Sequence, residues 1–266
     1  MNLLDGKTAL IVGVANDHSI AWGIAQAFHT HGARLAFSYA GQALERRVRP
    51  LAESVGAAFV EPCDVGQDGE IAALFEKAAS AVGTLDILVH AVAFADRDDL
   101  SHPYVETSRA GFLKAMEISA YSLTALARAA RPLMPNGGSM LTLTYYGSQK
   151  VMPNYNVMGV AKAALEASVR YLASELGPQG IRVNAISAGP VRTLSAAGVT
   201  GFKRLHRAFT EIAPLHRPIT IEDVGGAAVW LASDLSRTVT GEVVYVDSGY
   251  NILGLTVPPD ADETRG

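Results

Sequence analysis

Residues 7–33 read KTALIVGVANDHSIAWGIAQAFHTHGA, and the reading of this stretch decides the fold. Lys7–Gly13 is a short, nearly continuous apolar run rich in branched side chains, as a strand buried on both faces requires. A polar loop, Val14–His18, leads to Ser19, a residue suited to cap a helix opening with Ile20-Ala21-Trp22. Gly32 stands where a helix C-terminus favours a left-handed residue.

The same cycle runs outward along the chain. Strands are predicted at Arg34–Tyr39, Ala58–Glu61, Leu85–Ala91, Ser139–Thr144, Arg182–Ile186 and Glu242–Val246. Helices are predicted at Gln42–Val55, Gln67–Val82, Ser108–Ala130, Asn154–Leu176 and Ile221–Ser233. Gly56, Gly83 and Gly177-Pro178 supply stops, whereas Pro50 removes a backbone donor inside the second helix and predicts a kink. Seven strands separated by helices imply right-handed crossovers and a sheet covered on both faces. The expectation is α/β, a single doubly wound Rossmann-like domain with a seven-stranded, mostly parallel sheet. No linker or repeat divides residues 1–255; Thr256–Gly266, with two prolines, several acids and no apolar face, reads as a flexible tail.

Composition narrows the function. In 266 residues, 49% are hydrophobic and 18% charged, enough to build a large core. Twenty-two basic against 26 acidic residues give a net charge of −4, unlike a nucleic-acid-binding domain. The single Cys63 permits no intrachain disulfide and too few thiolates for a structural zinc site. No apolar run reaches the roughly 18 residues of a membrane span, and the N-terminal apolar stretch is too short for a signal peptide, so the expected location is cytoplasmic. His29 and His31 cannot share a helix face, and His18, His90, His102, His206 and His216 form no ligand spacing with one another or with Cys63, so no metal is expected.

In an open parallel sheet, ligands lie beyond the carboxyl ends of the strands, where helix N-termini point unpaired N–H groups outward. Gly13–Gly23 occupies that position, with Gly13 allowing close backbone approach and Ser19-Ile20 beginning the helix. This suits a pyrophosphate, although G-x-G-x-x-G is absent and an ordinary strand-to-helix turn reads similarly. Asp64-Val65 ends the third strand, where an adenine would lie; Asp64 is equally a turn residue or helix cap. The second strand ends Phe37-Ser38-Tyr39, with neither an acid for a ribose hydroxyl nor an adjacent basic pair, which leaves NADH and NADPH open.

Tyr155 and Lys162 are seven apart, hence on one helical stripe about 10 Å apart along the axis. A tyrosine hydroxyl can donate to a developing oxyanion, and a lysine two turns on can bind cofactor ribose hydroxyls; a core-edge tyrosine and a surface lysine are the plainer reading of the pair taken alone. The stretches GVANDHSIAWGIA, LAFSY, CDV, LVHAVAFA, LTLTYYG, PNYNVMGVAKAALEASVRYLA, GPQGIRVNAISAGPVRTLSA and TGEVVYVDSGY lie between about Leu3 and Ile252. With them, and with Y-x6-K in place of the carbonyl reductases' Y-x3-K, the chain resembles the bacterial NADH-dependent enoyl-[acyl-carrier-protein] reductases of the short-chain dehydrogenase/reductase superfamily.

The resemblance implies hydride transfer from NADH, with NADPH the lesser alternative, to the β-carbon of a trans-2-enoyl thioester in fatty acid synthesis. It implies that Tyr155 hydrogen-bonds the thioester carbonyl, that Lys162 binds the nicotinamide ribose and that Tyr145 is the second active-site tyrosine. By the same matching, Gly13, Ser19, Ile20, Ala40, Asp64, Val65 and Val92 line the cofactor site. Val191-Arg192-Thr193-Leu194-Ser195 approach its nicotinamide and pyrophosphate end, and Ala95 lies at the acyl site. Departures are Ala93, where many members carry glycine, and Ala40, where a longer polar residue is common. Members are usually homotetramers, for which the helices Ser108–Ala130 and Asn154–Leu176 offer surfaces. Residues 195–209 suggest a substrate cover in which Phe202 and Leu205 shield the acyl chain, Phe202 being otherwise ordinary core. Lys203, Arg204 and Arg207 suggest a docking patch for the acidic acyl carrier protein, or simply a solvated helix face. The expectation of a reductase stands against another short-chain reductase of carbonyls or activated alkenes, and against a non-catalytic NAD(P)-binding regulator.

Overall fold

The computed structural model describes residues 2–193, 196 and 201–254. Successive strand side chains point to opposite faces, and in β1 (Thr8–Val12) Ala9 and Ile11 enter one core while Leu10 and Val12 enter the other. β2 (Arg34–Tyr39), β4 (Ile87–His90), β5 (Gly138–Thr144) and β6 (Ile181–Ala188) divide in the same way: Phe37 opposes Ala36, Val89 opposes Leu88, Leu141 opposes Met140 and Ile186 opposes Ala185. With β3 (Val60–Pro62) and β7 (Val243–Val246) they form one sheet of order β3-β2-β1-β4-β5-β6-β7. Every neighbouring pair is parallel, so the expected "mostly parallel" sheet is wholly so.

One core packs α1 (Ile20–Thr30), α2 (Glu45–Ser54) and α9 (Ile221–Ala232); the other packs α3 (Asp68–Val82), α6 (Ser122–Ala130) and α7 (Asn156–Leu176). Gly23 and Gly225 let α1 and α9 cross closely, for a Cβ on Gly225 would lie 2.7 Å from the Gly23 carbonyl oxygen. Among the described residues no helix is long and apolar enough to cross a membrane.

Four departures from the sequence reading have local causes. The expected Ser108–Ala130 helix is α5 (Arg109–Met116) and α6 joined by a π turn, Glu117–Tyr121, where the Ser122 hydroxyl donates to the Ile118 carbonyl at 2.7 Å. The second helix begins with a 3₁₀ turn, Gln42–Leu44, before α2, inside which Pro50 stands as the sequence placed it. α7 starts at Asn156 rather than Asn154, in a turn where Asn154 holds φ 60° and Asn156 φ 29°. Tyr155 is therefore the residue capping the helix rather than part of it. Two helices were not expected: the five-residue α4 (Arg97–Ser101), and α8 (Phe202–Ile212), whose apolar spacing is masked by its basic residues.

Candidate active site

The strand order reverses direction at β1, between β2 and β4, which is where open parallel sheets bind ligands. Gly13 follows β1 at φ 101°, and a Cβ there would lie 2.5 Å from the Ala91 carbonyl oxygen and 2.8 Å from Val92 Cγ2. Both backbone conformation and space thus demand glycine. Ser19 caps α1 as expected: its hydroxyl accepts from the Trp22 N–H at 3.3 Å and donates to the Asn16 carbonyl at 2.7 Å. The α1 N-terminus opens on a cavity of about 580 Å³ walled by the ends of β1, β4, β5 and β6 and by α7 and α8.

The β5–α7 wall carries the chemistry. Tyr145 follows β5, and its ring meets that of Tyr155 edge-on, with centroids 4.9 Å apart and planes at 73°. Gly147, in the turn after β5, makes room for this pair, since a Cβ there would overlap the Tyr155 ring. Burial raises the pKa of both phenols, with a smaller contribution from Tyr250 at Tyr145 and from Tyr145 and Glu166 at Tyr155, so both are hydrogen-bond donors at neutral pH. Lys162 is buried, and its Nζ donates to the Leu143 carbonyl at 2.8 Å. Burial pushes the ammonium down from 10.5 to about 8, against the pull of Glu166.

The opposite wall is the loop between β4 and α4, held from beneath by buried polar side chains. His90 has Nδ1 2.7 Å from Thr142 Oγ1 and Nε2 2.8 Å from Ser122 Oγ. Because the Ser122 hydroxyl already donates to Ile118, Nε2 carries the proton and Nδ1 accepts from Thr142. Burial and the nearby Lys162 push His90 down to about 3, keeping it neutral. The π turn aims Ser119 at the loop, where its hydroxyl accepts from the Phe94 N–H and donates to the Phe94 carbonyl, each at 2.9 Å.

The structure gathers most residues singled out from the sequence. Gly13, Ser19, Ile20, Ala40, Val92, Ala95, Tyr145, Tyr155, Lys162, Val191, Thr193 and Phe202 all line the cavity. Asp64 and Val65 line a second one of about 960 Å³. The two share Ala40, Cys63, Val92, Ala93 and Phe94 in their walls, which joins them into one groove from α7 to the end of β3. Asp64 also serves as a turn residue, its Oδ1 accepting from the Gly66 N–H at 2.9 Å. Arg192 is exposed and lines neither cavity, and Leu194 and Ser195 lie outside the described residues. The groove fits a dinucleotide: glycine is required at the β1 turn, a helix N-terminus opens on it, and a buried ammonium lies at its far end.

Four residues escaped the sequence reading: Gly147, His90, Ser119 and Glu166. Only Glu166 left a signal, as an acid one turn beyond Lys162 on an otherwise apolar helix face.

Residues 13–251 match the family described as Enoyl-(Acyl carrier protein) reductase. The chain is 58% identical over 256 residues to the NADH enoyl-[acyl-carrier-protein] reductase FabI of Bacillus cereus, covering 96% of this chain and 100% of that protein. The solved Bacillus cereus enoyl-acyl carrier protein reductase with NADP+ and indole naphthyridinone superposes with TM-score 0.94, at 58% identity and with 96% and 100% coverage. The Anaplasma phagocytophilum reductase in complex with NAD superposes with TM-score 0.92, at 51% identity and with 97% and 96% coverage.

Proposed function

Because the chain belongs to the enoyl-[acyl-carrier-protein] reductase family of short-chain dehydrogenase/reductases, we propose that its two-tyrosine cavity reduces trans-2-enoyl thioesters of fatty acid synthesis with NADH. The observation that carries this reading is the Tyr145–Tyr155 pair beside buried Lys162 at the end of β5. Bound NADH supplies the hydride that reduces the β-carbon. Negative charge then grows on the thioester oxygen, where the Tyr155 hydroxyl donates a hydrogen bond from a water-poor wall, and a proton taken up at the α-carbon collapses the enolate to the saturated thioester. Tyr145 packs edge-on against that ring and fixes its tilt. Lys162 binds the nicotinamide ribose, and its positive charge favours the developing anion. Gly13, Ser19, Ile20, Val191 and Thr193 hold the pyrophosphate and nicotinamide half of the cofactor, with Arg192, Leu194 and Ser195 assigned there by resemblance. Ala40, Asp64, Val65 and Val92 take the adenosine half.

Ala95 and Phe202 contact the acyl chain, and residues 195–209 act as its cover, within a single reductase domain. On α8, Lys203 and Arg204 are exposed, while Arg207 pairs with Glu211 at 2.8 Å, so Lys203 and Arg204 lead in steering the acidic carrier protein. Exposed Leu113, Tyr121 and Tyr171 on α5–α7 support a homotetramer. The enzyme works in the cytoplasm.

The test is oxidation of NADH and NADPH by the purified protein with a trans-2-enoyl-carrier-protein substrate and an acetoacetyl-carrier control. NADH oxidation with the enoyl substrate alone is the expected result. Turnover of the keto substrate alone moves the chain to the carbonyl-reducing branch, and NADH binding without turnover of either makes it a regulator.

A further inference from the structure

Glu166 is a carboxylate almost wholly removed from water, with 5% of its surface exposed. Its Oε1 accepts the Thr144 hydroxyl at 2.7 Å and the Ser148 hydroxyl at 2.5 Å. Thr144 precedes Tyr145, and Ser148 closes the turn that follows it. The tyrosine's backbone is therefore held on both sides by one oxygen atom projecting from α7. One helical turn earlier on α7, Lys162 grips the same strand at the Leu143 carbonyl. A carboxylate buried at this depth is costly unless its hydrogen bonds and neighbouring charges compensate it. Two hydroxyl donors and a buried ammonium one turn away do so here.

We propose that Glu166 is a positioning residue with two separable tasks: through Thr144 and Ser148 it fixes the segment that carries Tyr145, and through its charge it keeps Lys162 protonated for the cofactor. The inference rests on the assignment of Lys162 to the cofactor ribose.

Several groups face this pair. Lys162 on α7, Tyr155 at its cap and Tyr245 on β7 interact electrostatically with Glu166, and His90 on β4 faces Lys162. His90 is neutral, and burial raises Tyr155 and Tyr245, which leaves Glu166 as the charge that opposes the burial of Lys162. With Lys162 near 8, the site binds NADH fully below that pH and loses affinity as pH rises through it. Removing the negative charge lets burial depress the lysine further, and the loss begins at lower pH.

The experiment is NADH affinity by protein fluorescence from pH 6 to 10, with turnover measured beside it. Glu166→Gln keeps an oxygen that accepts both hydroxyls but removes the charge. It is expected to move the alkaline loss of affinity down by about one pH unit, a tenfold weaker Kd inside that window. Glu166→Asp keeps the charge but cannot reach Thr144 and Ser148 together; its affinity profile should stay with the wild type while kcat falls about tenfold. A Gln variant that folds with an unmoved profile overturns the electrostatic task, and an Asp variant with wild-type kcat overturns the positioning task. Should the Gln variant not fold, Glu166→Met takes its place, since it too removes the charge, and an unmoved affinity profile in that variant overturns the electrostatic task. A wild-type protein with no alkaline loss of affinity would instead break the assignment of Lys162 on which the inference stands.

Discussion

The β5–α7 wall and helix α8 line the same cavity and are built differently. In α7, ten of 21 residues are buried, Lys162 and Glu166 among them, and the lysine's ammonium and the glutamate's carboxylate each bond to the strand in front. In α8 only His206 and Phe209 of 11 residues are buried, Phe202 and Leu205 reach the cavity, and the remaining face is charged. The first arrangement stores unfavourable burial of polar groups in exchange for fixed geometry; the second holds an apolar surface on a weak support. Chemistry that requires placement within fractions of an ångström belongs on the former, and exclusion of water from a flexible chain on the latter.

The largest effect that tests this contrast is loss of the Tyr155 hydroxyl. Tyr155→Phe keeps the ring contact with Tyr145 and removes only the donor, so kcat should fall about 10²–10³-fold, or roughly 3–4 kcal/mol, with Tm nearly unchanged. Steady-state kinetics with the carrier-bound substrate and calorimetry check both; full turnover would show that the wall's precision does not act through this hydroxyl. Gly147→Ala tests the same wall by displacement, because the added methyl pushes on the Tyr155 ring, and kcat should fall about tenfold or more with cofactor affinity kept.

Lys162→Met comes next and sharpens the claim that the wall is costly. Lysine at about 8 in the folded chain against 10.5 when free means that the unfolded chain binds more protons between those values. Stability therefore rises with pH across that window, and at neutral pH the buried ammonium costs about 3 kcal/mol. Methionine removes that cost while leaving the Leu143 carbonyl without its donor, worth about 1–2 kcal/mol. The expected outcome is a ligand-free Tm higher by about 2–5 °C at pH 7, together with NADH binding weakened at least tenfold. A lower Tm would show that the lysine is not a stability cost.

How far each region was legible follows from the same contrast. The strands and the positions Gly13, Ser19, Tyr155 and Lys162 stand out because apolar runs, caps and a tyrosine–lysine spacing are local signals, whereas Tyr145 came only with the family resemblance. His90, Ser119 and Glu166 do not stand out, since each acts through partners 18 to 52 residues away that only the sheet brings together; Phe94 for Ser119, Thr142 for His90 and Ser148 for Glu166 are examples. The π turn between α5 and α6 is equally silent in a one-dimensional pattern, as it adds no residue type of its own. In α8 the inward spacing Phe202, Leu205, His206 and Phe209 was present, but the intervening cations directed the reading to a docking patch or a solvated helix face rather than to the bounds of the helix.

The cover should respond more mildly and in binding rather than chemistry. Phe202→Ala with Leu205→Ala removes two apolar side chains from the cavity wall, and the surfaces lost correspond to a KM about tenfold higher for long acyl chains. For a four-carbon substrate, which does not reach them, KM should be near wild type; an equal rise for short and long chains would place the pair in the fold rather than over the acyl chain.

The smallest effect is electrostatic and separates the outer face of α8 from its inner one. Lys203→Glu with Arg204→Glu reverses two exposed charges and leaves Phe202, Leu205 and the Arg207–Glu211 pair in place. Steering between opposite charges raises association rates and is screened by salt, with a Debye length of about 10 Å at 0.1 M. The double variant should therefore lower kcat/KM for the carrier-bound substrate about threefold to tenfold at low ionic strength. The difference from wild type should shrink toward zero near 0.5 M salt. A pantetheine thioester without the carrier protein has no acidic surface to steer, and its kcat/KM should be the same for both proteins at every salt concentration. A loss that persists in high salt, or that extends to the pantetheine substrate, would mean that the reversal disturbs the inner face, and α8 would then join the fixed wall instead of standing apart from it.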